Sequence, residues 1–252
     1  MNKEKYNIRP LKIEDVKFVV DIVRASFDSK YIIPSIYRGH GIEQFILFEM
    51  KNPFTQYKFF VLCEGSTIAG YSEYKVFENI STSFLNIIAV ANDYKSKGIG
   101  KMLLNLSSSF FYEIGIKKIA LDVYESNFIA LKWYEKIGFK NVSITPFYKI
   151  DVDKDNTCDN FKGKIQNYSQ FNAMMDFFGF YFLDIFFDNQ NIKIGTINKS
   201  FIIRNSFSDA FKKQLPHLLN LLNFENAYYI GNESNQTSLK LIDRIIRMEL
   251  IK

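Results

Sequence analysis

Residues 92–105, "NDYKSKGIGKMLLN", place Gly98 and Gly100 two positions apart between two regular elements. The apolar run "LNIIAV" before them predicts a strand, and "KMLLNLSSSFFYEI" around and after them predicts a helix. The chain has only 12 glycines in 252 residues, so this pair indicates a backbone that bends tightly or approaches another group closely. The first N–H groups of a helix lack internal partners, and the helix dipole adds positive charge, so such a turn can bind an anion. A plain structural turn and a phosphate site both fit.

Two well-known phosphate loops do not match this stretch. A nucleoside triphosphate loop needs GxxxxGK[ST], which is absent, and a dinucleotide turn needs a third glycine where Leu103 stands. Lys95, Lys97 and Lys101 would still attract an anion at long range.

Composition narrows the class of protein. A hydrophobic content of 47% and a charged content of 23% are typical of a soluble globular protein. The net charge of +5, without a long basic run, is too mild to indicate nucleic acid binding. Two cysteines and two histidines, without metal-ligand spacing, argue against a disulfide framework and a metal site. The N-terminus lacks an apolar signal region and no stretch approaches about 18 continuous apolar residues, so we expect a cytoplasmic protein without a membrane span.

Periodicity predicts two regions separated by a polar segment. In 1–150 the predicted elements are a strand at 6–11, helices at 12–27 and 42–51, an antiparallel meander of 57–65, 67–79 and 82–92, a helix at 98–114, a strand at 117–125, a helix at 127–137 and one or two strands in 139–150. The polar, turn-rich segment 151–167 is predicted to be a linker. A smaller α/β domain would follow in 168–252, with strands around 178–204, a helix near 206–222, a strand near 226–231 and a final helix from about 236.

A second stretch, "LDVYESNFIALKWYEKIGF", favours the phosphate site over a plain turn at the glycine pair. Lys95-Ser96-Lys97-Gly98-Ile99-Gly100 followed by Asn127, Ala130, Tyr134, Gly138 and Phe139 resembles the GCN5-related N-acetyltransferases. That family carries [R/Q]-x-x-G-x-[G/A] after its fourth strand and N-x-x-A-x-x-x-Y-x-x-x-G-F after its fifth. Lys95 departs from the usual Arg or Gln, which matters little because backbone amides bind the diphosphate in that family. The resemblance covers about residues 5–150. It implies an α/β fold with a mixed, mostly antiparallel twisted sheet flanked by helices.

The resemblance implies acetyl-CoA as co-substrate and a primary amine as acceptor. The diphosphate of acetyl-CoA would lie on the backbone amides of Lys95, Ser96, Lys97, Gly98, Ile99, Gly100 and Lys101. The pantetheine of acetyl-CoA would lie beside the strand residues Ile88, Ala89 and Val90. Asn127 would bond the pantetheine or a water, although an N-cap role is equally natural for Asn at a helix start. Tyr134, two turns further along the helix, would protonate the departing thiolate, and a tyrosine with its ordinary pKa of about 10 is protonated at neutral pH.

Three carboxylates are candidates for the base that takes a proton from the amine. Asp122 interrupts the apolar strand "IALDV" and is preferred, because some ribosomal-protein acetyltransferases carry an acidic base at this spacing. Glu73 on the predicted third strand is the reserve, and Glu125 is the third candidate. Direct transfer needs no enzyme nucleophile, so the absence of a Ser/His or Cys/His arrangement is no obstacle.

The leading hypothesis is thus an N-acetyltransferase, and the alternative is a silent coenzyme A-binding sensor or scaffold. The acceptor is expected against residues 28–51 and the loops after the third and fifth strands. No metal, nucleic acid or membrane partner is expected, and the C-terminal domain could form a homodimer.

The tail resembles the first domain weakly when the two are aligned at an offset of 108. "YESNFIALKW" (124–133) then meets "NESNQTSLKL" (232–241), and Ile203-Arg204-Asn205-Ser206-Phe207-Ser208 meets the glycine loop. Both glycines are absent from the second copy, and Ile242 stands in place of Tyr134. This predicts a degenerate, acetyltransferase-like half without a donor site, although chance similarity also explains the identities.

Overall fold

A computed structural model of the chain describes residues 5–152, 160–204, 208–232 and 238–252. The strands are β1 (Tyr6–Pro10), β2 (Tyr57–Glu64), β3 (Thr67–Phe77), β4 (Thr82–Val90), β5 (Lys118–Tyr124), β6 (Lys140–Ile150), β7 (Lys164–Ile165), β8 (Phe180–Phe187), β9 (Gln190–Ile197), β10 (Ser200–Ile203), β11 (Asn226–Ile230) and β12 (Leu239–Ile251). The helices are α1 (Val16–Ser26), α2 (Ile42–Lys51), α3 (Ile99–Glu113), α4 (Phe128–Ile137), α5 (Tyr168–Phe178), α6 (Asp209–Lys212) and α7 (Leu215–Leu221).

The chain forms two compact units that interleave along the sequence. Unit 1 consists of Met1–Ile32, Ile42–Ser143 and Ile246–Lys252, and unit 2 consists of Ile33–Gly41 and Ile144–Ile245. This division differs from the expected domains 1–150 and 168–252 with a linker at 151–167, because β6 and β12 each contribute residues to both units.

Unit 1 is built on the strand order β1-β2-β3-β4-β5, with the C-terminal end of β12 beside β5. The β1–β2, β2–β3 and β3–β4 pairs are antiparallel, as the predicted meander requires, and β4–β5 is parallel. The amphipathic helix α3 packs on the sheet with Leu103 and Phe111 fully buried. Each such side chain stabilises the fold by about 1.5–3 kcal/mol. α1 contacts α2, β3 and β4 with its own buried residues.

Unit 2 repeats the same pattern of pairings. Its strand order is β7-β8-β9-β10-β11, with the C-terminal end of β6 beside β11. β7–β8, β8–β9 and β9–β10 are antiparallel and β10–β11 is parallel, with α6 and α7 between the last two strands. Strand, helix and parallel strand therefore follow one another here as β4, α3 and β5 do in unit 1. Phe201, Phe211 and Leu215 are fully buried in its core.

The segment Ile33–Gly41 is held within unit 2 by backbone contacts. Gly41 donates its N–H to the Phe178 carbonyl (3.0 Å), and the Asn198 side-chain amide donates to the Arg38 carbonyl (2.9 Å). A Cβ at Gly41 would lie 2.3 Å from the Phe177 carbonyl oxygen, so only glycine fits. This explains why residues between α1 and α2 group with the second half of the chain.

The predicted final helix from about residue 236 is wrong. Residues 233–237 lie outside the described residues, and β12 occupies Leu239–Ile251. Ile246 and Met248 alternate with Arg247 and Glu249, so period-two burial decides the conformation.

The expected match at offset 108 is therefore correct in one part and wrong in another. α6, α7 and β11 lie where the alignment requires a helix and a strand. Ile242, however, is a strand residue and not the counterpart of Tyr134 on a helix. Asn205, Ser206 and Phe207 lie outside the described residues.

Candidate active site

The turn between β4 and α3 is open at the surface. Gly98 is the N-cap residue of α3, and its φ of 73° lies in the left-handed region that favours glycine. The Met102 N–H donates to the Gly98 carbonyl at 3.1 Å, so the amides just before Met102 point out of the helix end. The turn therefore combines outward N–H groups with the positive end of a helix dipole, as an anionic ligand requires.

The side chains of this turn fall into two groups. Lys95, Lys97 and Lys101 are exposed, and the Lys97 ammonium lies 5.5 Å from the Tyr94 ring centroid. Ile99 is only 1% exposed and packs in the unit 1 core, so it can contribute to a ligand site through its backbone alone. Exposed Ser96 has a φ of 62°, which the sequence did not indicate.

Gly100 is where the turn, β4 and α4 meet. A Cβ at Gly100 would lie 3.4 Å from Trp133 Cζ2 and 3.7 Å from Val90 Cγ2, which are ordinary contact distances. The fold itself therefore has room for an alanine at this position. A requirement for glycine would come from a ligand that approaches the backbone.

The pairing of β4 with β5 stops before β4 reaches its C-terminal end. The two strands pair in parallel from Thr82↔Lys118 to Leu85↔Leu121, whereas β4 stays paired with β3 as far as Val90. A β-bulge falls at Asn86, between these two stretches. Ile88 and Val90 are half-buried and Ala89 is buried, so the predicted pantetheine residues lie where the β4–β5 pairing has ended.

Asn127 is the N-cap of α4. Its side-chain oxygen accepts the Ala130 N–H at 3.3 Å, which is the alternative role that the sequence left open. Gly138 ends the same helix with a φ of 112°, and its N–H donates to the carbonyls of Tyr134 and Glu135. Both ends of α4 are therefore fixed by the residues that the motif predicted.

Tyr134 is buried at 8% exposure between two aromatic rings. Its ring centroid lies 4.8 Å from that of Trp133 and 5.5 Å from that of Phe139. Burial raises the pKa of Tyr134 far above its ordinary value, and Tyr74 raises it further. The hydroxyl is therefore protonated at neutral pH and can act as a proton donor.

Asp122 is bound by a residue that the sequence did not single out. Arg247 on β12 donates to both of its carboxylate oxygens, at 2.5 Å from Nε and 3.1 Å from a terminal nitrogen. The same guanidinium lies 4.8 Å from the Phe84 ring centroid, and the hydrogen bond to Asp122 raises the pKa of Arg247. Because 247 was predicted to lie in a helix far from 122, the sequence carried no signal for this pair.

Glu73 occupies a different environment on β3. Its carboxylate is 2% exposed and accepts the Tyr71 hydroxyl at 3.3 Å and the Asn86 side-chain amide at 3.0 Å. Tyr74, the next residue, packs in the core beneath α3, so Glu73 points to the opposite face of the sheet. Asp122 is thus held by a guanidinium, whereas the donors to Glu73 include a tyrosine hydroxyl and an asparagine amide.

Part of unit 1 is similar to known acetyltransferases. Residues 24–139 match the model of the family described as "Acetyltransferase (GNAT) family". Residues 24–139 thus match a GNAT acetyltransferase domain. An N-alpha-acetyltransferase from Saccharolobus solfataricus is 26% identical over 161 residues, which are 58% of this chain and 87% of that protein. One from Sulfurisphaera tokodaii is 25% identical over 163 residues, 59% of this chain and 88% of the relative. The matched domain and these relatives together support an N-acetyltransferase activity.

A solved structure extends the likeness to the whole chain. The tandem GNAT protein from the clavulanic acid biosynthesis pathway, without acetyl-CoA, is 12% identical, covers 98% of both chains and has a TM-score of 0.72. At this identity the likeness concerns the fold alone. It confirms the predicted fold class, including a GNAT-like second half.

Two findings concern only the residues that the structure describes. Within residues 5–152, 160–204, 208–232 and 238–252, no helix is long and apolar enough to cross a membrane. In the same ranges, no group of three or more His, Cys, Asp or Glu side chains could hold a metal ion.

Proposed function

We propose that unit 1 transfers the acetyl group of acetyl-CoA to a primary amine by direct attack in a ternary complex. The observation that carries this proposal is the meeting of the exposed N-terminus of α3, the end of β4 and α4 at Gly100. These are the three elements that a long, anionic thioester would have to contact at once.

The residues present fit acetyl-CoA. Its diphosphate would accept hydrogen bonds from the outward amides of residues 95–101, with the lysines of that turn supplying attraction. Its pantetheine would lie along Ile88–Val90, where the backbone beyond the end of the β4–β5 pairing can bond an added strand-like segment. Asn127 uses its side-chain oxygen as the helix cap, which leaves its amide N–H groups for a pantetheine carbonyl or a water.

The chemistry requires two proton transfers. The amine nitrogen bonds to the thioester carbonyl carbon, the carbon–sulfur bond breaks, and Tyr134 donates its hydroxyl proton to the departing sulfur. A backbone N–H near Ile88–Val90 would donate to the carbonyl oxygen as negative charge develops on it. The amine loses its proton to a carboxylate, and proton exchange with solvent then returns the carboxylate to its ionised form and Tyr134 to its protonated form.

The identity of the base depends on the partners of Asp122 and Glu73. To accept a proton, Asp122 would have to give up hydrogen bonds from Arg247. This pairing weakens the sequence-based preference for Asp122 and favours the reserve candidate Glu73, acting through a water because Glu73 is buried.

The acceptor proposed first is the α-amine of a polypeptide, because the relatives in the comparison are N-alpha-acetyltransferases. A small amine is the second candidate. A cytoplasmic location and a homodimer formed through the second unit belong to the same proposal, and light scattering of the purified protein tests the latter.

The deciding experiment has two parts. Calorimetry measures acetyl-CoA binding, and we expect one site per chain, since the sequence has no glycine at residues 203–208. Release of free thiol is then followed with peptides carrying a free α-amine, the same peptides with a blocked α-amine, and small polyamines. Binding without thiol release for every amine would favour the silent sensor, and two sites per chain would refute the absence of a donor site in unit 2.

A further inference from the structure

Trp133 lies at the margin of the unit 1 core, beside the first turn of α3. It is the only tryptophan of the chain, it precedes Tyr134 on α4, and it is half-buried. A Cβ built on Gly100 would lie 3.4 Å from its Cζ2 and 3.7 Å from its Cη2. One edge of the indole therefore lies directly against the first turn of α3.

The polar atom of this side chain lies on the same edge. In an indole ring the nitrogen is bonded to the carbon next to Cζ2, so the N–H is near the side that faces Gly100. Among the residues that the structure describes, none provides an acceptor for it, and it is not one of the polar atoms sealed from solvent. A tryptophan N–H is a donor only, so an oxygen of a ligand bound at this edge is a suitable partner for it.

The ring also touches the residue that would donate the proton. Its centroid lies 4.8 Å from that of Tyr134, and Val90 approaches the same space at Gly100. Trp133 thus contacts both the turn proposed to bind the diphosphate and the ring of Tyr134.

Resting on the proposed function, we infer that Trp133 is a donor-site residue whose indole N–H donates a hydrogen bond to an oxygen of acetyl-CoA. Its ring forms one wall of the site beside Gly100. Phosphate oxygens and pantetheine carbonyls share the acceptor chemistry this requires, and the nearness of the α3 N-terminus favours a phosphate oxygen.

The test compares Trp133→Phe, which keeps an aromatic wall and loses the N–H, with Trp133→Leu, which loses both. A net hydrogen bond of about 0.5–1.5 kcal/mol corresponds to a roughly 2- to 12-fold rise in Kd for acetyl-CoA in the Phe variant. We expect a larger rise in the Leu variant. Tyr112→Phe, which removes a hydroxyl from an aromatic near the other end of α3, is the control and should bind as the wild type does. S-acetylpantetheine, which lacks the diphosphate, shows which oxygen accepts the indole N–H. If the partner is a phosphate oxygen, the Phe variant should bind S-acetylpantetheine with the same Kd as the wild type.

Because the chain has one tryptophan, its fluorescence in the wild type gives an independent measurement. Acetyl-CoA should change the emission with the same Kd that calorimetry gives. Wild-type binding with an unchanged Kd in the folded Phe variant would overturn the inference and leave the proposed function standing. Unchanged emission at saturation would do the same, and no binding by the wild type would refute both.

Discussion

Replacing Met248 with alanine tests whether the last strand belongs to the core of unit 1. Its side chain is fully buried in the same cluster as Leu103 and Tyr134. Removing a buried Met, Leu or Ile side chain beyond Cβ costs about 2–5 kcal/mol, through lost burial and the cavity left behind. We therefore expect Met248→Ala to lower the free energy of unfolding of unit 1 by about 3 kcal/mol.

The readout is the fluorescence of Trp133, which packs against this same cluster and reports on unit 1. For a urea m-value of about 2 kcal/mol/M, a loss of about 3 kcal/mol lowers the midpoint by about 1.5 M. Ile251→Ala is the control, since Ile251 lies on the same strand at 70% exposure and should change stability by no more than about 0.5 kcal/mol. Equal shifts for the two variants would refute the assignment of β12 to unit 1, as would a shift in circular dichroism without one in fluorescence.

The remaining predictions concern the site. Gly98→Glu should abolish acetyl-CoA binding in calorimetry. The control is Gly115→Glu, at another left-handed glycine (φ 86°) with open space where a Cβ would lie; it should lower stability similarly and keep acetyl-CoA binding. Equal binding by the two variants would contradict the diphosphate site. Tyr134→Phe should keep the Kd and lower kcat by about 10²-fold, and an unchanged rate of thiol formation in a single turnover would remove it from the mechanism. A general base acts in its unprotonated form, so replacing the base should abolish the rise of kcat/KM with pH on the acid side of the profile. We expect Glu73→Gln to abolish this rise and Asp122→Asn to keep it. The opposite result would restore Asp122 as the base.

Local signals were enough to predict the first half of the fold. The runs 57–65 and 67–79 marked the β2–β3 hairpin, and Asn127 and Gly138 marked both ends of α4, because caps and turns depend on neighbouring residues. The glycine turn at the start of α3 was predictable for the same reason.

The features that the sequence did not predict depend on distant partners. Leu239, Ile242, Ile245 and Ile246 are spaced as on a helix, but the surroundings of β12 impose a strand, and tertiary packing overrides local propensity. The Arg247–Asp122 pair joins residues 125 positions apart, so no window along the chain contains both. Asp122 could therefore be recognised as an unusual charge in an apolar strand, but its partner could not.

The place of β12 beside β5 has a consequence for biosynthesis. A ribosome completes β1 to β5 long before it reaches Ile246, so the nascent first unit waits with one edge of its sheet unpaired. An uncovered edge strand is a template for pairing with other chains. Co-translational folding of this acetyltransferase unit should thus finish only when the last strand emerges, and a polypeptide halted near residue 150 should self-associate rather than accumulate as a stable monomer.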